Sequence, residues 1–277
     1  MASVSELLSA GRLQEAEWHI RQGRDSPISL EQLAQYLRTS LNPQTFFISP
    51  GYYAPFREWG DAKNLCGNAY ESDSVVERYR NVAEGSQSQK NRAHQISTYS
   101  IRHLAAFQHV WLSLGRPKSL RVLDFGGALG GHFHGLVKYW PWVPLKWTVC
   151  ETPVVSAAGH SEFELDLPEG HQLRFSDRLA KSLDNGVDLI LASSSIQYLE
   201  NWPETLELFR SSPWLILDRV PLIDHPNDLI SIQVTPSNYT DTRYPGWKFA
   251  HQTWLPRLAK AGFQLELQWE VPDDSWS

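Results

Sequence analysis

Asp124 closes an apolar run (Val122, Leu123), and Gly126, Ala128 and Gly130 follow at alternate positions in the segment RVLDFGGALGG. A strand that ends in an acid and enters a turn almost bare of side chains lets backbone N–H groups approach a bound ligand closely. The helix after this turn is expected to begin near Gly131. The spacing D-x-G-x-A-x-G is not the G-x-G-x-x-G of dinucleotide binders. An acid at the strand end suits a ligand with a cationic amino-acid end better than it suits a pyrophosphate. The alternative is a plain glycine-rich, left-handed turn between an ordinary strand and helix.

Further polar residues fall where apolar runs stop. Cys150-Glu151 ends a second run, and the two oxygens of Glu151 match the two vicinal hydroxyls of a ribose. Its separation from Asp124 exceeds the roughly 20 residues usual in dinucleotide folds. The excess falls in the loop at residues 140–144. Ser176 and Asp177 end a third run, where a polar side chain would meet an adenine amino group or would cap the next helix. Ser193, Ser194 and Ser195 end a fourth, their small hydroxyls leaving room at a crevice mouth. Gln197 and Tyr198 follow within reach of a reacting centre, or serve as local packing. His132 and His134 come directly after the glycine turn; His132 is a candidate contact or proton acceptor, or an ordinary first-turn histidine. A nucleoside bearing a charged amino acid fits this set. S-adenosylmethionine, with its α-ammonium and sulfonium, is therefore the expected cofactor, held by Asp124, Gly126, Gly127, Ala128, Gly130, Glu151, Ser176, Asp177, Ser193 and Ser194.

The elements that must position these residues alternate. Strands are expected at Leu120–Phe125, Leu145–Cys150, Gln172–Phe175, Val187–Ala192, Trp214–Asp218 and Phe263–Val271, with helices clearest at Pro203–Arg210 and Thr253–Ala261. Such alternation predicts an α/β fold, a Rossmann-like, doubly wound, mostly parallel sheet with its crevice at the strand carboxyl ends. The β-branched run Leu229–Val234 has no evident place in the sheet order. Upstream, residues 3–22 and a segment from Ser29 carry helical periodicity, a single hairpin too small to form a solenoid. Residues 45–70 are aromatic, Gly- and Pro-rich without a sustained period and read as an ordered loop, followed by helices at 72–84 and 89–113. The expected organisation is a helical cap at 1–44, a lid and substrate region at 45–118, and the Rossmann-like domain at 119–277.

Composition narrows the partners. The chain has 277 residues, a net charge of −6 and no long basic run, which argues against nucleic acid. Two cysteines, Cys66 and Cys150, stand at no metal-ligand spacing, and neither H-E-x-x-H nor a Cys pair marks a metal. The N-terminus lacks a signal-peptide pattern and no run approaches the roughly 20 apolar residues of a membrane span, so a cytoplasmic location is expected. The N-terminal helices would serve as a docking surface for a second copy or another subunit. Twelve tryptophans are many for this length; those in irregular segments (Trp59, Trp202, Trp247) either cap a core or offer flat faces to a ring.

VLDFGG, the W-x-V-x-E pattern at Trp147–Glu151, SSSIQYL, ILDRVP at Ile216–Pro221, the Gln233 region, Tyr244-Pro245-Gly246-Trp247 and GYYAPFREW together carry a resemblance. The chain looks like a class I S-adenosylmethionine-dependent methyltransferase, and is most similar to a family associated with bacterial surface-polysaccharide biosynthesis. The resemblance spans about residues 50–271. It implies cofactor contacts at Asp124, Gly126, Gly127 and Glu151, and a substrate side built from Gln197, Tyr198, Arg219, Gln233, Tyr244 and Trp247. After Phe263–Val271 only PDDSWS follows, so the final antiparallel hairpin of that fold is expected to be incomplete.

The expected reaction is methyl transfer to an oxygen or nitrogen of a small polar acceptor, a sugar or polysaccharide precursor being the expected class. Positioning would supply most of the catalysis, with His132 or His251 as the nominated base. Arg219 would pair with an acidic group, and Tyr244 and Trp247 would wall in a ring. A nucleotide-sugar oxidoreductase would need a G-x-G-x-x-G turn, and none is present around residues 121–135. A non-catalytic binding or scaffold protein on the same fold remains the other alternative.

Overall fold

The computed structural model describes residues 6, 51–66, 72–88, 98–167, 169–184, 186–235 and 242–270. The helical hairpin expected over 1–44 lies outside them, Glu6 apart. Contacts divide the chain into two units: Glu71–Leu222 with His251–Val271, and Met1–Tyr70 with Ile223–Ala250 and Pro272–Ser277. These limits run differently from the boundaries expected at 44 and 118.

The first unit holds helices α2 (Asp73–Ser88) and α3 (Thr98–Ser113), then the alternation β2 (Leu120–Phe125), α4 (Gly131–Tyr139), β3 (Leu145–Cys150), α5 (Pro153–Glu162), β4 (Leu165–Asp166), β5 (Gln172–Ser176), α6 (Leu179–Leu183), β6 (Leu189–Ser193), α7 (Trp202–Phe209) and β7 (Leu215–Asp218); α8 (His251–Lys260) returns to it. Its six strands stand in the order β4-β5-β3-β2-β6-β7, all parallel except the short edge strand β4. The central strands are apolar runs with helices on their faces, and every residue of β6 is buried. The order reverses between β2 and β6, so the crevice of such a sheet opens at their carboxyl ends. Register brings those ends level: Phe125 lies opposite Cys150, Cys150 opposite Ser176, and Ser193 opposite Asp218.

Aromatic side chains close the core of this unit. Phe107 of α3 stacks on Trp147 of β3 at 5.5 Å, and Phe133 of α4 meets the same indole edge-on at 6.0 Å. Trp202 packs on Trp254 at 5.5 Å. Burying an indole of roughly 200 Å² is worth about 5 kcal/mol at about 25 cal/mol per Å², which accounts for Trp140, Trp147, Trp202 and Trp254, all buried in this unit.

Two expectations about elements need correction. Phe263–Val271 alternates apolar and polar residues as a half-buried strand would, yet residues 263–270 form no strand, and Leu265 and Leu267 are 53% and 47% exposed. Alternation produces a strand only where an edge accepts its backbone, and the described residues form no such ladder. Residues 51–66, expected as loop, form strand β1 (Gly51–Phe56) and helix α1 (Trp59–Cys66). That strand exists through a distant partner, which no local period reveals.

In the second unit β1 pairs antiparallel with β9 (Leu229–Val234), and β9 with β10 (Arg243–Ala250); the two-residue strand β8 (Leu222–Ile223) completes the sheet order β1-β9-β10-β8. Leu229–Val234 thus belongs to a separate antiparallel sheet. Trp59 of α1 stacks on Trp247 of β10 at 5.7 Å, seating the helix on one face of this sheet. Register puts Tyr52, Gln233 and Tyr244 in a single row across the three strands, on the face opposite to Trp247.

Candidate functional site

Three non-glycine residues with left-handed backbone follow the carboxyl ends of β2, β6 and β7: Ala128 (φ 50°), Ser194 (φ 53°) and Arg219 (φ 56°). Such conformations cost on the order of 1 kcal/mol or more each and collect at functional sites. Gly126, at φ 72°, approaches β6 so closely that a Cβ there would sit 2.5 Å from Ser195 Cβ. The glycine turn and the serine segment therefore form opposite lips of one crevice.

Asp124 is fully buried. Its carboxylate accepts from Trp147 Nε1 at 3.2 Å and lies 2.9 and 3.1 Å from His132 Nδ1, so it faces the histidine and the indole. A buried carboxylate needs a donor, which assigns the proton to Nδ1 and leaves Nε2 as the basic nitrogen of the neutral ring. Glu151 is 8% exposed and ties β3 to the turn: Oε1 accepts from the Ala128 N–H at 3.1 Å, Oε2 from the Thr152 N–H at 2.9 Å.

Other expected contacts are used locally. Ser176 Oγ bonds the Arg178 N–H and carbonyl, closing a turn, and Asp177 is an exposed residue 3.9 Å from the Arg178 guanidinium. Ser193 Oγ donates to Asp218 Oδ2 at 3.1 Å, and Ser194 Oγ accepts from Gln197 Nε2 at 3.1 Å. Gln197 is 2% exposed and Tyr198 half-buried. Arg219 and His251 are exposed, His251 as the first residue of α8. Gln233, Tyr244 and Trp247 belong to the antiparallel unit, where Tyr244 OH bonds Thr242 Oγ1.

The sequence reading did not single out His103 and Asp218. Asp218 ends β7 and is 1% exposed; it accepts from Ser193, from His103 Nε2 at 3.1 Å and from Trp269 Nε1 at 3.2 Å, with Arg102 Nε at 3.9 Å. An acid ending a parallel strand was the available signal, the same one that marks Asp124. His103 carries no such mark, because 115 residues separate it from its partner.

Three buried polar atoms at this edge have no hydrogen-bond partner among the described residues: Thr152 Oγ1, Ser195 Oγ and Gln197 Oε1. Unpaired buried groups are costly, and here they gather just past β3 and β6. Burial pushes the Cys150 thiol, beside Glu151, up to about 12, so it is no thiolate nucleophile at neutral pH. No group of three or more metal-binding side chains occurs among the described residues, and none of their helices is long and apolar enough to cross a membrane.

Burial would raise the Asp218 carboxyl, but its bond and charge interaction with His103, with bonds from Trp269 and Ser193, hold it down to about 2 against a usual 3.8. Burial also lowers His103 and His134 below the usual imidazole value of 6.5. The unfolded chain therefore takes up protons first, both below 6.5 and between 3.8 and about 2. The stability of the native protein is expected to fall in two stages on acidification, the acid stage by about 2 kcal/mol from Asp218. Urea midpoints measured across pH check this, and Asp218→Asn should remove the acid stage.

No family model matches this chain, and no curated protein sequence does. Solved structures align weakly. A structure of PigF with SAH is 18% identical over 87% of this chain and 70% of its own, with a TM-score of 0.42. Magnesium protoporphyrin IX methyltransferase from Synechocystis PCC 6803, with bound SAM, is 13% identical over 83% and 90%, at 0.43. Human N-acetylserotonin methyltransferase in complex with SAM is 14% identical over 94% and 88%, at 0.39.

Proposed function

We propose that the parallel-sheet unit binds S-adenosylmethionine at the carboxyl ends of β2, β3 and β6 and directs its methyl group to a hydroxyl of a small polar acceptor, a sugar hydroxyl being the class the family resemblance favours. The observation that carries the reading is the collection of Thr152 Oγ1, Ser195 Oγ and Gln197 Oε1, buried and unpartnered among the described residues, around a glycine turn and Glu151. An adenosyl amino acid suits these two hydroxyls and one acceptor oxygen, because its ribose hydroxyls, ammonium and carboxylate offer partners of both kinds.

When bound, S-adenosylmethionine would supply a sulfonium-activated methyl group, the S–C electron pair staying with sulfur as the acceptor oxygen takes the methyl. Glu151, which holds the Ala128 and Thr152 amides, would turn its carboxylate to the ribose hydroxyls. The turn from Gly126 to Gly130 brings backbone close enough to exclude water. His132, oriented by Asp124 through Nδ1, receives the acceptor's proton at Nε2.

Calorimetry with S-adenosylmethionine and S-adenosylhomocysteine, followed by transfer of labelled methyl to candidate sugars, tests the reading. Binding with a 1:1 stoichiometry is expected, and no heat from folded protein would overturn it. His132→Gln is expected to keep cofactor affinity while lowering turnover by about 10²–10⁴-fold, the usual range for a lost general base.

A further inference from the structure

Two carboxylate–imidazole pairs meet inside the parallel-sheet unit, and the steps above use only one. The other, His103 with Asp218, is the more shielded of the two: the histidine is 3% exposed and the aspartate 1%, whereas His132 is only half-buried. The rings of His103 and His132 lie edge to face, with centroids 5.2 Å apart and planes at 89°. Asp218 cannot easily turn away, since Ser193 and Trp269 donate to it as well. A bond from Nε2 at 3.1 Å therefore locks the His103 ring about its side-chain axis. His132 is locked at Nδ1 by Asp124 in the same manner. Each imidazole has its own buried carboxylate, and each ring is a wall for the other.

The charged and titratable groups facing His103 are Asp218 from β7, Asp124 from β2 and His132 from α4, with Arg102 beside it on α3. Two imidazolium ions at this separation in a poorly solvated interior repel, so a second proton binds less readily than the first. We propose that His103, fixed by Asp218, is a positioning residue for His132, and that the two rings share one proton beyond the N–H each gives to its carboxylate. The purpose of the arrangement rests on the methyl-transfer reading: His132 Nε2 receives the acceptor's proton while Nδ1–H stays on Asp124. His103 remains neutral, keeping its Nε2–H on Asp218, so no competing charge turns the His132 ring. Burial, which lowers His103, places the shared proton on His132.

Side-chain nitrogen NMR on the full chain, without ligand, follows both rings from about pH 8 to about pH 5, where histidines titrate. One ring, His132, is expected to protonate over that range while His103 keeps its Nε2–H tautomer. Asp218→Asn should lower the His132 midpoint, because the negative charge beside the ring packed on His132 is lost. His103→Gln keeps an N–H for Asp218 but removes the ring, so His132 should lose its single tautomer. Turnover in that variant should fall about tenfold or more with cofactor KM unchanged, the scale of losses when an orienting partner is removed. Both rings protonating in one step would overturn the proposal, as would a wild-type His132 midpoint and tautomer in either variant; a variant that misfolds leaves the other to decide. Protein that binds no S-adenosylmethionine would sink the methyl-transfer reading and leave these titrations readable, which separates the two failures.

Discussion

Gly127→Ala is expected to destroy cofactor binding and to destabilise the protein by about 3 kcal/mol, the upper part of the range for overpacking a filled site. A Cβ on Gly127 would stand 2.3 Å from both Asp124 Cγ and Oδ2, and 2.8 Å from Oδ1. No relief is available by rotating the carboxylate, which is fully buried and tied to both His132 and Trp147. Either the turn lifts away from the strand end or Asp124 releases His132; both outcomes disturb the site. Gly131→Ala, four residues on, is the matched control, because nothing lies within 4 Å of its Cβ position. Denaturant midpoints and calorimetry on the two variants check the contrast. A Gly127→Ala variant that folds and binds like wild type would show that the close approach of turn and carboxylate has no consequence.

Glu151→Gln should weaken S-adenosylmethionine by roughly 100-fold, about 2.7 kcal/mol, the scale of one to two lost charge-assisted hydrogen bonds. Both Glu151 oxygens accept backbone N–H groups, one from Ala128 and one from Thr152. An amide can satisfy only one of them; its NH₂ would face the other donor, so the substitution removes a ribose acceptor and turns the loop end against itself. Far-ultraviolet circular dichroism establishes that the variant is folded, and calorimetry reads the affinity. Glu162→Gln, on the exposed ion pair with Arg80, is the comparison expected to leave binding unchanged. Unaltered affinity in the folded Glu151 variant would remove the carboxylate from the ribose and with it the placement of the cofactor.

Much of the parallel sheet was legible in the residues. β2 and β3 fall at the expected limits, and β5, β6 and β7 differ by one or two residues. Buried parallel strands are short apolar runs, and a run ending in Asp, Glu or Ser announces its own boundary. The turn at 126–130 was legible for a related reason, since only small residues permit its backbone. By contrast, GYYAPF and LISIQV pair with each other across 174 to 183 residues of chain, as the register Phe56–Ile230 and Gly51–Val234 shows. Neither carries a local period that names its partner. FQLELQW carries a strand's alternation and forms no strand, for want of an accepting edge.

The chemistry divides along the same line. Which side chains are available at the crevice was settled by local sequence, because an acid or hydroxyl at the end of an apolar run has to emerge where the strand emerges. What each of them touches was decided by packing. Asp124 turns to His132 and Trp147, Ser193 turns to Asp218, and His103 arrives from a helix that precedes the whole sheet. Spacing along the chain constrains a residue's position to its own element, whereas hydrogen-bond partners are chosen among whatever the crossovers bring within about 3 Å, and only the folded chain brings them there.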